Sequence, residues 1–125
     1  MGATGEIVVL VVDDEADVRG LARVVLELSG HDVRVIEAAD GAAAIAAAQL
    51  ERPDLAVVDQ MMPGQDGLSV VAALVALHPG LPVALCSAAM DGRLADRAEG
   101  LGVRWFLPKH ELVKLPDLLD ELNPG

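Results

Sequence analysis

A chain of 125 residues with a formal charge of −11 fits one domain, long enough to build a core without disulfide or metal staples. The acid excess, with nine scattered Lys and Arg residues, argues against nucleic acid as a direct partner. A single cysteine excludes an internal disulfide, and no apolar run approaches the roughly 20 residues that span a bilayer. The start, MGATGEIVV, lacks a basic segment ahead of a long apolar run, so the sequence reads as a reduced, cytoplasmic protein without a signal peptide or membrane partner.

Along the chain, short apolar runs alternate with helical patterns. IVVLVV (Ile7 to Val12) predicts a strand buried on both faces. Val18, Leu21, Ala22, Val25 and Leu28 recur at helical spacing, with Gly30 closing the helix. DVRVIEA (Asp32 to Ala38) predicts a second strand, and DGAAAIAAAQLE (Asp40 to Glu51) a helix capped by Asp40 and ended by Pro53. LAVVD (Leu55 to Asp59) is a third strand, followed by a helix marked by Leu68, Val71, Ala72 and Val75. LPVALCS (Leu81 to Ser87) is a fourth strand, with Leu94, Ala95, Ala98 and Leu101 marking the helix after it. VRWFL (Val103 to Leu107) is a fifth, and a last helix starts at Pro116 and carries Leu118, Leu119 and Leu122.

Five β–α units with short connections predict an α/β fold: an open, doubly wound parallel sheet with helices on both faces. The expected organisation is one domain over residues 1–125, with a core at about 7–122 and no effector domain in the chain. Such sheets bind ligands beyond the carboxyl ends of their strands. There the chain delivers Asp13, Asp14 and Glu15 after strand one, Asp59 after strand three, Ser87 after strand four and Lys109 after strand five.

Each residue has a structural reading of its own. Asp14 could cap the first helix with Asp17 completing a capping-box-like pair, Asp59 could serve a turn, Ser87 a cap, and Lys109 a solvated surface. Met61 and Met62 read as packing or backbone positions, and Asp40, Asp66 and Asp91 as helix caps. Arg93, Arg97 and Arg104 read equally as solvated charge or as part of an output face. The combination on one rim favours chemistry. Adjacent carboxylates repel, and hard oxygen donors suit Mg²⁺, which accepts one or two carboxylates plus a phosphate. A shielded Asp59 could attack phosphorus and form an acyl phosphate, with the cation and Lys109 neutralising the phosphoryl oxygens and Ser87 donating to one of them.

At this point the chain resembles the response-regulator receiver domains of two-component signalling, the CheY-like family. The segments VLVVDDE, VIEAADGAAAI, PDLAVVDQMMPGQDGL, LPVALCSA and GVRWFLPK carry the resemblance. It implies a flavodoxin-like (βα)5 sheet of order 2-1-3-4-5. It implies Asp59 as phosphoacceptor, and Mg²⁺ (or Mn²⁺) bound by Asp13, Asp14, Asp59 and the backbone carbonyl of Met61. Ser87 and Phe106 become switch positions and Lys109 the family's lysine. The implied partners are a histidine kinase or histidine phosphotransfer protein and an output protein of unknown identity. The implied state is a monomer or a phosphorylation-dependent dimer. The helix 4–strand 5–helix 5 face would switch to control the output partner. The chain would catalyse only its own phosphorylation and dephosphorylation, and is otherwise not an enzyme.

The chain departs from the family in three places. PKH (Pro108 to His110) replaces the usual Lys-Pro pair, so trans peptides are expected there, since a cis bond before a non-proline residue costs about 2.5–4 kcal/mol. Phe106 replaces the commoner Tyr and has no hydroxyl. Met61 and Ala89 stand two residues after Asp59 and Ser87, where neither can orient an attacking water, so a moderately long-lived phosphoryl group is expected. Three other classes compete. A phosphatase of the haloacid-dehalogenase type needs a second acid where Met61 stands. A dinucleotide-binding enzyme needs G-x-G-x-x-G where the chain has VVDDEADVRG. A receiver-like scaffold that is never phosphorylated is the third.

Overall fold

The computed structural model describes residues 5–88 and 91–122. Five parallel strands form one sheet: β1 (Ile7–Val12), β2 (Val33–Ala38), β3 (Leu55–Asp59), β4 (Val83–Ser87) and β5 (Trp105–Pro108). Their spatial order is β2-β1-β3-β4-β5, the doubly wound order expected of a flavodoxin-like sheet. The helices are α1 (Ala16–Glu27), α2 (Gly41–Leu50), α3 (Gly67–Leu77), α4 (Gly92–Gly100) and α5 (Leu115–Leu122). A two-stranded hairpin, Met61–Met62 with Gln65–Asp66, projects between β3 and α3, turning at Gly64 with φ of +69°. A 3₁₀ turn, Lys109–Lys114, joins β5 to α5.

Strand side chains alternate between faces, and each face has its own core. Leu10, Val12, Ala56, Val58, Val83 and Leu85 pack under α2, α3 and α4, against Ala44, Ala48, Leu68, Val71, Leu74 and Ala98. Ile7, Val9, Val11, Leu55, Val57, Ala84 and Cys86 face α1 and α5, against Ala22, Leu26, Leu115, Leu118 and Leu119. The two-sided burial explains why the central strands read as continuous apolar runs.

Asp40, Asp66 and Asp91 cap α2, α3 and α4, accepting from the backbone N–H of Ala43, Leu68 and Leu94. Asp14 does not cap α1: Glu15 occupies the N-cap position, with no side-chain cap bond. On α1, Leu21 and Leu28 are 47% and 80% exposed, and Leu26 takes the core position instead. The buried stripe runs through Ala22 and Leu26, four residues apart, flanked by Val18 and Val25, and so is narrower than the apolar pattern suggested. The chain before α5 is a 3₁₀ turn with Leu112 buried, a segment that the apolar spacing left without an element.

Candidate functional site

The site is built on the alternation of the strands. Asp13 continues the parity of Val9 and Val11, and Asp59 that of Leu55 and Val57, so both leave the sheet on the α1–α5 side. Ser87 has the parity of Val83 and Leu85 and leaves on the opposite side, towards α4. Asp13, Asp59 and Ser87 are the buried polar residues among those described, with 3%, 1% and 2% exposure. The carboxylates of Asp13, Asp14 and Asp59 each offer an oxygen within 4.8 Å of the others.

Local structure fixes each acid. Asp13 Oδ1 accepts from the Glu15 N–H at 2.9 Å, and Arg19 Nη1 donates to the Asp13 carbonyl at 2.7 Å. Asp59 Oδ1 accepts from the Met61 N–H at 3.2 Å. Behind Asp59, α3 begins in direct contact with the backbone. A Cβ on Gly67 would stand 2.3 Å from the Asp59 carbonyl oxygen, and the Gly67 N–H donates to the Gln60 carbonyl at 2.9 Å. Only glycine permits that approach.

Lys109 enters from the first residue of the 3₁₀ turn. Its Nζ lies 3.0 Å from Asp59 Oδ2, 3.3 Å from Glu15 Oε1 and 3.6 Å from Asp13 Oδ2. The peptides of Pro108-Lys109-His110 are trans, and Lys109 reaches the acids without the Lys-Pro arrangement. Burial opposes its charge, but the Asp59 carboxylate at 3.0 Å and the charge of Asp13 outweigh it, holding the ammonium above its ordinary pKa. The Asp13 carboxyl is shifted upward too, which for an acid disfavours the charged form. Burial first, then the charges of Asp59 and Asp14, raise its carboxyl above the usual value, against the Glu15 N–H and Lys109. Burial, reinforced by Asp59 and Asp13, pushes the Cys86 thiol up to about 12, so it stays protonated.

The carboxylates remain under-compensated. Asp59 Oδ2 is buried and, although Lys109 stands close, receives no well-aligned hydrogen bond. Three clustered carboxylates, one of them with an unsatisfied buried oxygen, are hard donors that fit Mg²⁺ or Mn²⁺. The space beneath Asp59, bounded by Val57, Cys86, Lys109 and Leu112, is only about 10 Å³, so a ligand can approach Asp59 only from the rim.

The other positions singled out in the sequence fall around this cluster. Met61 begins the hairpin and is 70% exposed. Phe106 is half-buried against the α2–α4 core, in register with Leu85 and so on the Ser87 side of the sheet. Ala89 lies outside the described residues. Sequence reasoning missed three contributors: the Glu15 contact to Lys109, the Arg19 bond to the Asp13 carbonyl, and Gly67. For Gly67 a signal was present, a glycine immediately after a helix-capping Asp, but its close contact with Asp59 is a tertiary fact.

The family model described as Response regulator receiver domain matches residues 9–123. The chain is a response-regulator receiver domain. Its relatives include the transcriptional regulatory protein PrrA of Mycobacterium tuberculosis, 45% identical over 94 residues, which cover 74% of this chain and 40% of PrrA. The signal receiver domain of NarL from the same species is 35% identical with a TM-score of 0.79, covering 96% of this chain and 98% of that one. The response regulator Rcp1, solved in its Mn²⁺-bound form, is 27% identical with a TM-score of 0.76, covering 92% of each chain. The receiver domain therefore spans less than half the length of curated relatives such as PrrA. No helix among the described residues is long and apolar enough to cross a membrane.

Proposed function

We propose that this receiver domain is a phosphorylation-dependent switch in which Asp59 takes a phosphoryl group from the phosphohistidine of a histidine kinase or phosphotransfer protein. The observation that carries the reading is the buried Asp59 carboxylate, set among Asp13, Asp14 and Lys109 with Oδ2 under-bonded. A divalent cation held by Asp13, Asp14, Asp59 and the Met61 carbonyl would neutralise charge developing on the phosphoryl oxygens. Asp59 is held for in-line attack by its strand and by Gly67 behind it. Lys109 supplies a fixed positive charge, and Ser87 donates a hydrogen bond to the phosphoryl group from the α4 side. The displacement of Ser87 lets Phe106 turn inward, and the α4–β5–α5 face changes shape to control a partner. The phosphoryl group shifts this equilibrium only by its differential interaction with the two states. PrrA is a transcriptional regulatory protein, so a transcriptional output is the partner class supported for this chain.

Intact-mass spectrometry after incubation with Mg²⁺ and either acetyl phosphate or a phosphorylated kinase tests the reading. One added phosphoryl group is expected, absent in Asp59→Asn and in chelated samples. Because Met61 cannot orient an attacking water, the adduct is expected to persist well past seconds once the donor is removed. No adduct with any donor would leave a scaffold role.

A further inference from the structure

The rim of the sheet is not acidic all round. On the Ser87 side, a cleft of about 510 Å³ opens between the hairpin and α4, lined by Met61, Ser87, Asp91, Arg93, Leu94 and Arg97 among others. Two arginines line it in a molecule of charge −11, on the opposite side of the rim from Lys109. The one carboxylate among these residues, Asp91, is engaged in capping α4 through the Leu94 N–H at 2.9 Å. Arg93 makes no hydrogen bond or ion pair among the described residues. Among the described residues Arg97 has a single long contact, 3.7 Å to Asp66 Oδ2, with its side chain 63% exposed. An exposed pair at that distance is worth little, so either arginine can reorient towards an anion.

We propose that Arg93 and Arg97 form an anion subsite that selects small phosphodonors whose leaving group is a carboxylate, that is, acyl phosphates. The inference rests on the reading of Asp59 as phosphoacceptor. In-line transfer places the leaving group opposite the attacking oxygen, and the packed space beneath Asp59 forces it outward, to the rim where the cleft opens. An Asp59 carboxylate oxygen forms the new bond to phosphorus as the bond from phosphorus to the acyl oxygen breaks. The electron pair stays on that oxygen, which departs as a carboxylate, and no proton moves. The arginines attract the donor dianion past the acids and hold the charge that appears on the departing oxygen. A neutral leaving group gains nothing from the second effect.

The test compares acetyl phosphate, which releases acetate, with phosphoramidate, which releases neutral ammonia. Adduct formation is followed by intact mass in wild type, R93Q/R97Q and R93K/R97K, at fixed Mg²⁺. The expected result is a loss of about fivefold or more with acetyl phosphate in R93Q/R97Q, less than about twofold with phosphoramidate, and recovery in the lysine pair. Equal losses with both donors, or no loss with either, overturn the subsite. A parallel arm titrates acetylphosphonate, which cannot transfer its phosphoryl group, into wild type and R93Q/R97Q. Amide shifts at Gly92 to Leu94 that vanish in the variant support the subsite, and their absence in wild type overturns it. If neither donor modifies wild type, the phosphoacceptor reading fails, while the acetylphosphonate arm still decides the subsite.

Discussion

Asp13 illustrates how a binding site is maintained at the expense of the metal-free fold. Its carboxyl is raised above the unfolded value, chiefly by burial, so the folded protein holds the Asp13 proton more tightly than the unfolded chain does. The associated stability is fully present below the unfolded pKa and is lost as pH rises through the folded one. At neutral pH without metal, the ionised Asp13 therefore weakens the fold. Asp13→Asn should raise the melting temperature of the chelated protein at pH 7 by about 2–6 °C, and the gap to wild type should narrow as the pH is lowered towards the carboxylate range. Mg²⁺ should stabilise wild type and leave the variant nearly unchanged. Thermal melts across pH, with and without Mg²⁺, measure all three. Lys109 compensates only part of the repulsion, because it is shared between Asp59, Glu15 and Asp13.

Two glycines in helices separate local propensity from tertiary fit. Gly67 opens α3 against the Asp59 carbonyl, whereas a Cβ on Gly20, within α1, would meet nothing within 4 Å. Gly67→Ala should destabilise by roughly 1–3 kcal/mol through overpacking, and should weaken Mg²⁺ binding because the atom displaced is the backbone of Asp59. Gly20→Ala should stabilise by about 0.5–1 kcal/mol by reducing the freedom of the unfolded chain, with Mg²⁺ affinity unchanged. Urea unfolding with a Mg²⁺ titration on each variant checks both. The hairpin belongs to the same device: Gln65 Oε1 accepts from the Gly41 N–H at 2.7 Å, linking the segment after Asp59 to the start of α2.

The parallel sheet collects carboxylates from strands one and three at one end, adding to a self-repulsion of −11 charges overall. The basic residues offset it in pieces rather than as a field. Arg19 and Arg23 both meet Glu37 on β2, and Arg34 pairs with Glu6 and Glu51. The metal-free protein should therefore gain stability as NaCl rises from low concentration towards about 0.5 M, where the screening length falls to a few ångströms. With Mg²⁺ bound the gain should be smaller, since the strongest repulsion is already neutralised. Urea midpoints at several NaCl concentrations, with and without Mg²⁺, would show this, and a midpoint falling with salt in the chelated protein would contradict it.

The order of the elements and the identity of the rim residues were legible because both are periodic, local properties. Apolar runs bounded by turn residues mark strands buried on both faces, and in a parallel sheet every strand ends at the same edge, so Asp13, Asp59, Ser87 and Lys109 had to gather there. The caps Asp40, Asp66 and Asp91 were legible for the same reason, since a cap acts within one turn. What depended on the folded molecule was non-local. The side of α1 that is buried followed from where β1 and α5 leave room, which put Leu26 inside and Leu28 outside. The reach of Lys109 through trans peptides came from the 3₁₀ turn docking Leu112 into the α1–α5 core. The close approach of Gly67 to Asp59, and the cleft that brings Arg93 and Arg97 beside Ser87, join backbone and side chains far apart in the chain, a relation no local periodicity encodes.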